Sequence, residues 1–513
     1  MTSRVLGLVR EQVMAAFFGA SHDVTMDAYN VAFRIPNLLR DLFAEGAMSA
    51  AFVPTFTAYL SKRGKNEAWR VGNNVLNALI IVTGLLVVLG IVFADPLIRL
   101  LAAESYTDNP EKLLLTVKLA RIMLPALVFI ALAAALMGML NSLHHYFIPA
   151  LSPAMFNVMT IVAAFVLVPV LRPLGVEPIT TMAIGTVLGG VAQLALQWPT
   201  LRREGFRFRP GVDWQDEGLR RVLVLMGPGS IGMAATQINI LVNTQLATGQ
   251  EQGAASWLNY AFRLMYLPIG LFGVSIATVT LPAVSRHLTG KDLAAARETV
   301  TRGISLMLML NVPATVGLVV LGVPIVRLIF ERRAFNAFDT MGTAAALQFY
   351  AVGLVGYSVV RIASPVFYAL GRSRVPVIVS VIAVLTNAVL NINLVRTMGY
   401  TGLALGTSLA ALLNATVLFV LLRRALGGLN ERHLLTAFVR IAIASAAMAV
   451  VAKFTERWLS AALPQQTIVW QVVRVGLEIG AAVATLAAAA WILRIKEFHE
   501  SVQMVLRRFR RRT

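Results

Sequence analysis

Apolar residues run along this chain in stretches long enough to cross a bilayer, one after another from end to end. A helix needs roughly 20 residues to span about 30 Å of hydrocarbon. On that rule the sequence predicts helices near 4–20, 28–60, 73–101, 117–141, 148–171, 178–200, 219–248, 254–285, 303–330, 341–369, 375–395, 401–422, 434–453 and 470–493. Several exceed the minimum length and are expected to tilt or to project a turn or two into water. The apolar stretch after Arg10 runs through Phe17-Phe18-Gly19 toward the next span without the pattern of a cleavable signal, so the first span is read as retained. No polar block between the spans is long enough for a soluble domain. The chain reads as an all-α polytopic membrane protein of about 14 transmembrane helices.

Composition agrees with the pattern. Of the 513 residues, 58% are hydrophobic and 14% charged, against about 45–50% and 25% in soluble domains. With no cysteine, disulfides, thiolate catalysis and sulfur-ligated metals are excluded together. A formal charge of +20 raises nucleic acid as a partner, but that needs basic residues gathered on one soluble face. Here they punctuate the apolar runs instead, and no nucleic-acid partner is expected.

The basic residues fall in alternate loops. One set holds Lys62, Arg63, Lys65 and Arg70, then Arg202, Arg203, Arg207, Arg209, Arg220 and Arg221, then Arg286, Lys291, Arg297 and Arg302, and it continues to the tail Arg507-Arg508-Phe509-Arg510-Arg511-Arg512. The other set is poor in Lys and Arg, as in Ser21-His22-Asp23, the acidic 103–111 stretch and Gly249-Gln250-Glu251-Gln252-Gly253. The asymmetry predicts both termini on the cytoplasmic side. A weak repeat also appears. Val53-Pro54 matches Leu281-Pro282 at an offset of 228, and Pro149 matches Pro376 at 227. Two six-helix lobes in the same orientation, 1–215 and 216–430, are expected, with two C-terminal helices and a basic tail over 431–513. Parallel repeats of this kind place a substrate site between the lobes.

Ionisable residues inside apolar spans are the most informative feature, because a lone charge at mid-bilayer costs a few kcal/mol or more and tends to face a cavity. The first two spans carry Arg4, Arg10, Glu11, Asp27, Arg34, Arg40, Asp41 and Glu45; the eighth carries Arg263 and the tenth Arg361. One reading pairs Arg10 with Glu11 or Asp27, lets Arg34 and Asp41 snorkel, and leaves the set only to fix helix packing. The other notes that arginines on the first, second and eighth helices exceed the carboxylates able to neutralise them. Surplus guanidinium forks suit a polyanion, since they take phosphate oxygens in pairs as lysine cannot. A diphosphate is the economical candidate.

Glycines at 46, 138, 227, 270 and 273 and prolines at 36, 54, 228, 268 and 282 lie within spans. They read as packing sites and kinks, with hinges as the alternative; a bend at Pro268 would swing Arg263. Asn243, Asn387, Asn391 and Thr407 offer neutral oxygens, and Asn387 and Asn391 share a helix face. Ordinary interhelical hydrogen bonding is the plainer reading, a small cation the alternative. No metal ligand set, Walker loop, HExxH or Ser-His-Asp arrangement is present, and His144-His145 and His433 are placed in loops. No catalytic residue is assigned, and the chain is not read as an enzyme.

Two stretches carry a family resemblance, Ser3-Arg4-Val5-Leu6-Gly7-Leu8-Val9-Arg10-Glu11 and Ala32-Phe33-Arg34-Ile35-Pro36-Asn37-Leu38-Leu39-Arg40-Asp41-Leu42-Phe43-Ala44-Glu45-Gly46-Ala47. With Phe52-Val53-Pro54, Arg263-Leu264-Met265 and Phe367-Tyr368-Ala369, the chain resembles the MurJ/MviN lipid II flippases of the multidrug/oligosaccharidyl-lipid/polysaccharide exporter superfamily. The resemblance implies two six-helix lobes plus two C-terminal helices whose groove receives a polyprenyl tail. It also implies export of an undecaprenyl-diphosphate-linked peptidoglycan precursor to the periplasmic leaflet of the inner membrane by alternating access. The partners so implied are lipid II, membrane lipids and the cell-wall synthesis machinery.

In the family the essential cavity arginines fall on Arg4, Arg10, Arg40 and Arg263 and the essential acid on Asp27, with Glu45 helping to hold the second helix; Glu11, Arg34 and Arg361, read from the charges within the spans, are expected in support. Some relatives bind sodium at positions resembling Asn243, Asn387, Asn391, Leu403 and Thr407; no other cofactor is implied. The sequence departs from the pattern at three places. It has only three residues before Arg4, it has Phe262 and Tyr266 where some relatives carry acids, and it has Asn243 where some carry aspartate. A drug or other polysaccharide-lipid exporter and a non-transporting scaffold of cell-wall synthesis remain the rival readings.

Overall fold

A computed structural model of the chain describes residues 2–41, 47–462 and 467–499. Within these, the side chains at 2, 4, 47–50, 227–236, 271, 272, 274 and 275 are not described. All regular elements among the described residues are helical, and each predicted span has a counterpart. The helices are α1 (Thr2–Phe18), α2 (Thr25–Arg40), α3 (Ala47–Val92), α4 (Ala94–Leu101), α5 (Glu104–Thr107), α6 (Pro110–Met123), α7 (Ala126–Ser142), α8 (Phe147–Val162), α9 (Val168–Leu171), α10 (Pro178–Arg203), α11 (Glu217–Thr248), α12 (Ala254–Pro268), α13 (Val274–Thr289), α14 (Leu293–Val320), α15 (Gly322–Phe330), α16 (Ala337–Val352), α17 (Leu354–Ala369), α18 (Arg374–Met398), α19 (Tyr400–Leu426), α20 (Glu431–Ala462) and α21 (Ile468–Ile492).

Nine stretches among the described residues are long and apolar enough to cross a membrane, or ten when α16 and α17, bent by 42° about Gly353, count as one. The other predicted spans escape that test for local reasons. Helices α1 and α2 have only 17 and 16 residues. The stretch 51–92 fuses two predicted spans, because at Gly64 the backbone turns to φ 82°, ψ 175° and ends one helix before the next begins. Glycine takes that conformation without the Cβ clash other residues would suffer. Helices α12 and α13 are separated by a π-helical turn, Ile269–Gly273. Pro268 lacks the N–H needed for an α-helical bond and is the last residue of α12, so the predicted bend is realised as this wider turn. The predicted repeat has a local echo: Pro149 and Pro376 are each the third residue of their helix.

The chain divides into two compact units, residues 1–256 with 332–335, and residues 257–331 with 336–513. In the first, Phe52, Phe56, Val71, Leu136, Met139 and Leu140 form a core where α3 meets α7. Polar side chains tie helices together inside it, as where Gln197 Nε2 donates to the Ala133 carbonyl at 3.0 Å and to Ser152 Oγ at 2.9 Å. In the second, Val300, Ile304, Met307, Phe367, Leu418, Leu422 and Ile441 pack where α14, α17, α19 and α20 converge. A Cβ on Gly356 would lie 2.7 Å from the Ala411 carbonyl oxygen, so only glycine lets α17 approach α19 this closely. Helix α21 exposes Val469, Val472, Leu477, Val483 and Trp491. A soluble surface does not expose so continuous an apolar face, whereas a hydrocarbon environment suits it.

Candidate functional site

In the first unit, Arg10 lies on α1 and is largely buried. Its Nη2 meets Glu11 Oε1 at 2.5 Å, and its guanidinium carbon lies 5.4 Å from the centre of the Phe156 ring on α8. Phe156 in turn packs on Phe33 of α2 with ring centres 6.0 Å apart, so an aromatic wall on α8 serves both N-terminal helices. Glu11 is 3% exposed. At the end of α2, Arg40 donates from Nε and Nη2 to Asp41 Oδ1 at 3.2 and 2.9 Å, in a half-buried pair. Arg34 is half-buried on the same helix. Arg4 lies on α1, but its side chain is outside the described residues, as is all of Glu45. Two arginines expected to carry surplus charge therefore each rest against the carboxylate that follows in sequence.

Asp27 is also placed by this unit, at the start of α2. It is buried; Oδ2 accepts the Gly253 N–H at 2.9 Å and Oδ1 accepts the Ser256 hydroxyl at 2.6 Å. Lys112 Nζ lies 3.8 Å from Oδ2, and Asn30 Nδ2 donates to Ser256 Oγ at 3.0 Å. The carboxylate thus holds the loop that enters α12, where unpaired backbone N–H groups and the helix dipole favour an anion. The sequence reading found Asp27 but missed Gly253, Ser256 and Lys112. The available signal was the acid-free first turn of α12, which calls for an anion from elsewhere.

In the second unit, Arg263 sits in the middle of α12 and donates from Nε to the neutral Asn259 Oδ1 at 3.1 Å, one turn earlier. The start of that helix is fixed by Trp257, whose Nε1 donates at 2.9 Å to Asp339, a fully buried side chain on α16. Asp339 had not been singled out, although its backbone N–H completes the Asn336 cap of α16 at 3.0 Å. Arg361 lies on α17 beside Gly273 of the π-helical turn. Its Nε is buried without a hydrogen-bond acceptor among the described residues. A buried donor left so is costly, and an incoming acceptor relieves it.

Asn387, Asn391, Leu403 and Thr407 also come together in the second unit. Asn391 Nδ2 donates to Asn387 Oδ1 at 3.3 Å, Asn387 Nδ2 to Thr407 Oγ1 at 3.3 Å, and Thr407 Oγ1 to the Leu403 carbonyl at 2.8 Å. This is an amide and hydroxyl chain between α18 and α19. Its oxygens are those a small monovalent cation would use, with the amides turned. Asn243 is half-buried on α11 in the first unit.

At a surface of the first unit, Glu204 accepts from Lys65 Nζ at 2.8 Å and lies 2.8 Å from His145 Nε2. The Lys65 ammonium, and then His145, hold its carboxyl below the ordinary carboxylate value. His433, expected in a loop, is instead in the first turn of α20, because the helix begins at Glu431.

The family model described as lipid II flippase MurJ matches residues 14–473. The chain belongs to the lipid II flippase MurJ family. Within the family it is 36% identical over 468 residues to "Probable lipid II flippase MurJ" of Rhizobium meliloti, covering 89% of this chain and 85% of that protein. It is 33% identical over 428 residues to "Lipid II flippase MurJ" of Burkholderia cenocepacia, covering 83% and 82%. A solved MurJ structure titled as an inward closed conformation superposes with a TM-score of 0.78 at 27% identity, over 96% of this chain and 97% of that one. A multidrug resistance MATE transporter in an inward-facing conformation shares the fold at a TM-score of 0.70 and 16% identity, over 83% and 94%.

Proposed function

We propose that this protein moves lipid II, the undecaprenyl-diphosphate-linked peptidoglycan precursor, from the cytoplasmic to the periplasmic leaflet of a bacterial inner membrane. Family membership supports the substrate, and the arginines of α1, α2, α12 and α17 support the chemistry. The single observation that carries the reading is Arg263 at mid-helix in α12, its Nε bonded to a neutral amide. A guanidinium in that position keeps its positive charge and its preference for phosphate oxygens. Arg10 and Arg40 add forks that a diphosphate can draw from Glu11 and Asp41. Arg4, Arg34 and Arg361 extend the cationic set, Asp27 positions the entry to α12, and Glu45 supports α2.

Alternating access follows as the mode of transport, with the headgroup bound on one side and released on the other. An inside-negative potential of 100 mV favours outward movement of an anion by about 2.3 kcal/mol per charge, so voltage supplies the drive without nucleotide hydrolysis. Sodium coupling at Asn387, Asn391, Leu403 and Thr407, with Asn243 as a further candidate, is a second contribution, supported by the clustering of neutral oxygens. The protein acts as a transporter and not as an enzyme, with both termini cytoplasmic, as the loop charges favour. It works alongside the cell-wall synthesis machinery. A cationic-drug exporter calls for cavity carboxylates and aromatics; the arginines argue against it.

The test is reconstitution into proteoliposomes with a panel of labelled lipid-linked sugars, with and without an imposed potential and a sodium gradient. Movement of lipid II, faster with voltage, is expected. Movement of none of the panel would indicate a scaffold, and movement of cationic drugs instead would indicate the drug-export reading.

A further inference from the structure

A second charged site lies at one end of the α20–α21 hairpin, wholly inside the second unit. An open cleft of about 60 Å³ is bordered by His433, Thr436 and Arg440 on α20 and by Lys496 and Glu497 just past α21. The three α20 residues recur at the spacing of one helix face, over a floor made by the buried Ala437 and Ile495. The chain leaves α21 through a left-handed residue, Arg494 at φ 50°. The Ile495 N–H then returns to the Ala490 carbonyl at 3.0 Å, and this reversal brings Lys496 across to α20. Arg440 Nη1 fastens it by donating to the Arg494 carbonyl at 3.3 Å.

Charge in the cleft is one-sided. Glu497 is buried and faces His433 Nε2 at 3.0 Å, so its charge is directed at the imidazole. Neither Arg440 nor Lys496 has a carboxylate partner among the described residues. The depth of the cleft is marked by its neighbours. Trp491 is 67% and Ile492 71% exposed immediately before the turn, and Val439 and Ile443 are exposed on α20. Exposed tryptophan next to a basic turn is the signature of the boundary between hydrocarbon and headgroups. Basic clefts between membrane helices at that boundary take anionic headgroups.

We propose that this cleft binds the phosphate diester of an anionic phospholipid. Arg440 and Lys496 neutralise the phosphate, and the acyl chains lie along the exposed apolar faces of α20 and α21. The site shares no residue with the arginines of α1, α2, α12 and α17. It does not depend on the transport reading.

The test uses the full chain in nanodiscs containing equal amounts of phosphatidylglycerol and phosphatidylcholine, with retained lipid counted by native mass spectrometry. Wild type is expected to retain phosphatidylglycerol selectively. The double variant Arg440→Gln/Lys496→Gln, at exposed positions, is expected to lose roughly thirtyfold in relative retention, as two interfacial cations imply. A control, Arg202→Gln/Arg203→Gln, removes the same charge from the first unit and is expected to change nothing. Equal retention by wild type and the cleft variant would overturn the proposal. So would an equal loss in the control, which would mean a general charge effect. Excess inorganic phosphate is expected to displace little lipid; complete displacement would overturn the assignment to phospholipid.

Discussion

Arg10 and Arg40 each lie against the carboxylate of the very next residue, whereas Arg263 donates to a neutral asparagine and Arg361 buries an Nε with no acceptor among the described residues. The first unit thus neutralises these two arginines within a single turn, whereas in the second Arg263 gives its Nε to a neutral amide and Arg361 buries an Nε without an acceptor among the described residues. A phosphate approaching Arg10 must compete with Glu11; at Arg263 the Nε is held by a neutral amide, and at Arg361 the buried Nε has no acceptor among the described residues. Arg263 and Arg361 are therefore expected to matter more for diphosphate affinity than Arg10 and Arg40, whose carboxylate partners a phosphate would have to replace.

The comparison can be broken most easily at its strong end. Arg263→Ala is expected to abolish growth when it replaces the flippase in a depleted strain, and Arg361→Ala to weaken lipid II binding by about tenfold or more, the loss of one charged hydrogen bond. Full growth of the Arg263 variant at normal expression would remove the distinction between the units. Next in size is Asp27→Asn, which weakens charge-assisted bonds to Gly253 and Ser256 worth about 1.5–3 kcal/mol each. Faster hydrogen exchange at the Gly253 amide reads that effect. Glu11→Gln should lower thermal stability by about 1–3 kcal/mol, since it discharges a buried pair, yet leave lipid II binding intact or tighter. Weaker binding would mean that Glu11 serves substrate rather than Arg10.

Asp41→Asn, in a more exposed pair, should cost less than about 1 kcal/mol. The smallest effect belongs to the surface group Glu204. Its carboxyl is depressed in the folded state, so its stabilisation is present above the ordinary value of 4.5 and fades as pH falls through the lower folded value. Lys65→Gln should remove part of that acid sensitivity, at well under about 1 kcal/mol, as read by thermal melts at pH 7 and pH 3.5.

Periodicity and length were enough to read the helices, because a span of apolar residues has one viable conformation in hydrocarbon. The Pro268 bend was legible for the same reason, a missing donor in a helix. Breaks at Gly64 and Gly353 were not, since one glycine in an apolar run also suits close packing. Helix α11 packs on α3 within the first unit. Among site residues, Arg10, Arg40, Asp27 and Arg263 were legible as charges in apolar spans, and Glu11 was one of two partners that the packing reading offered Arg10. What sequence could not supply was partnership across long separations. Ser256 lies 229 residues from Asp27, Asp339 lies 82 from Trp257, and neither pair shares a local pattern.

The most direct measurement is equilibrium binding of undecaprenyl diphosphate, without sugar or peptide, set against undecaprenol, for wild type and for the Arg263→Ala/Arg361→Ala variant. Strong preference of wild type for the diphosphate, lost in the variant, is the predicted result. Equal binding of both lipids by wild type, or a preference that survives the double substitution, would contradict the account.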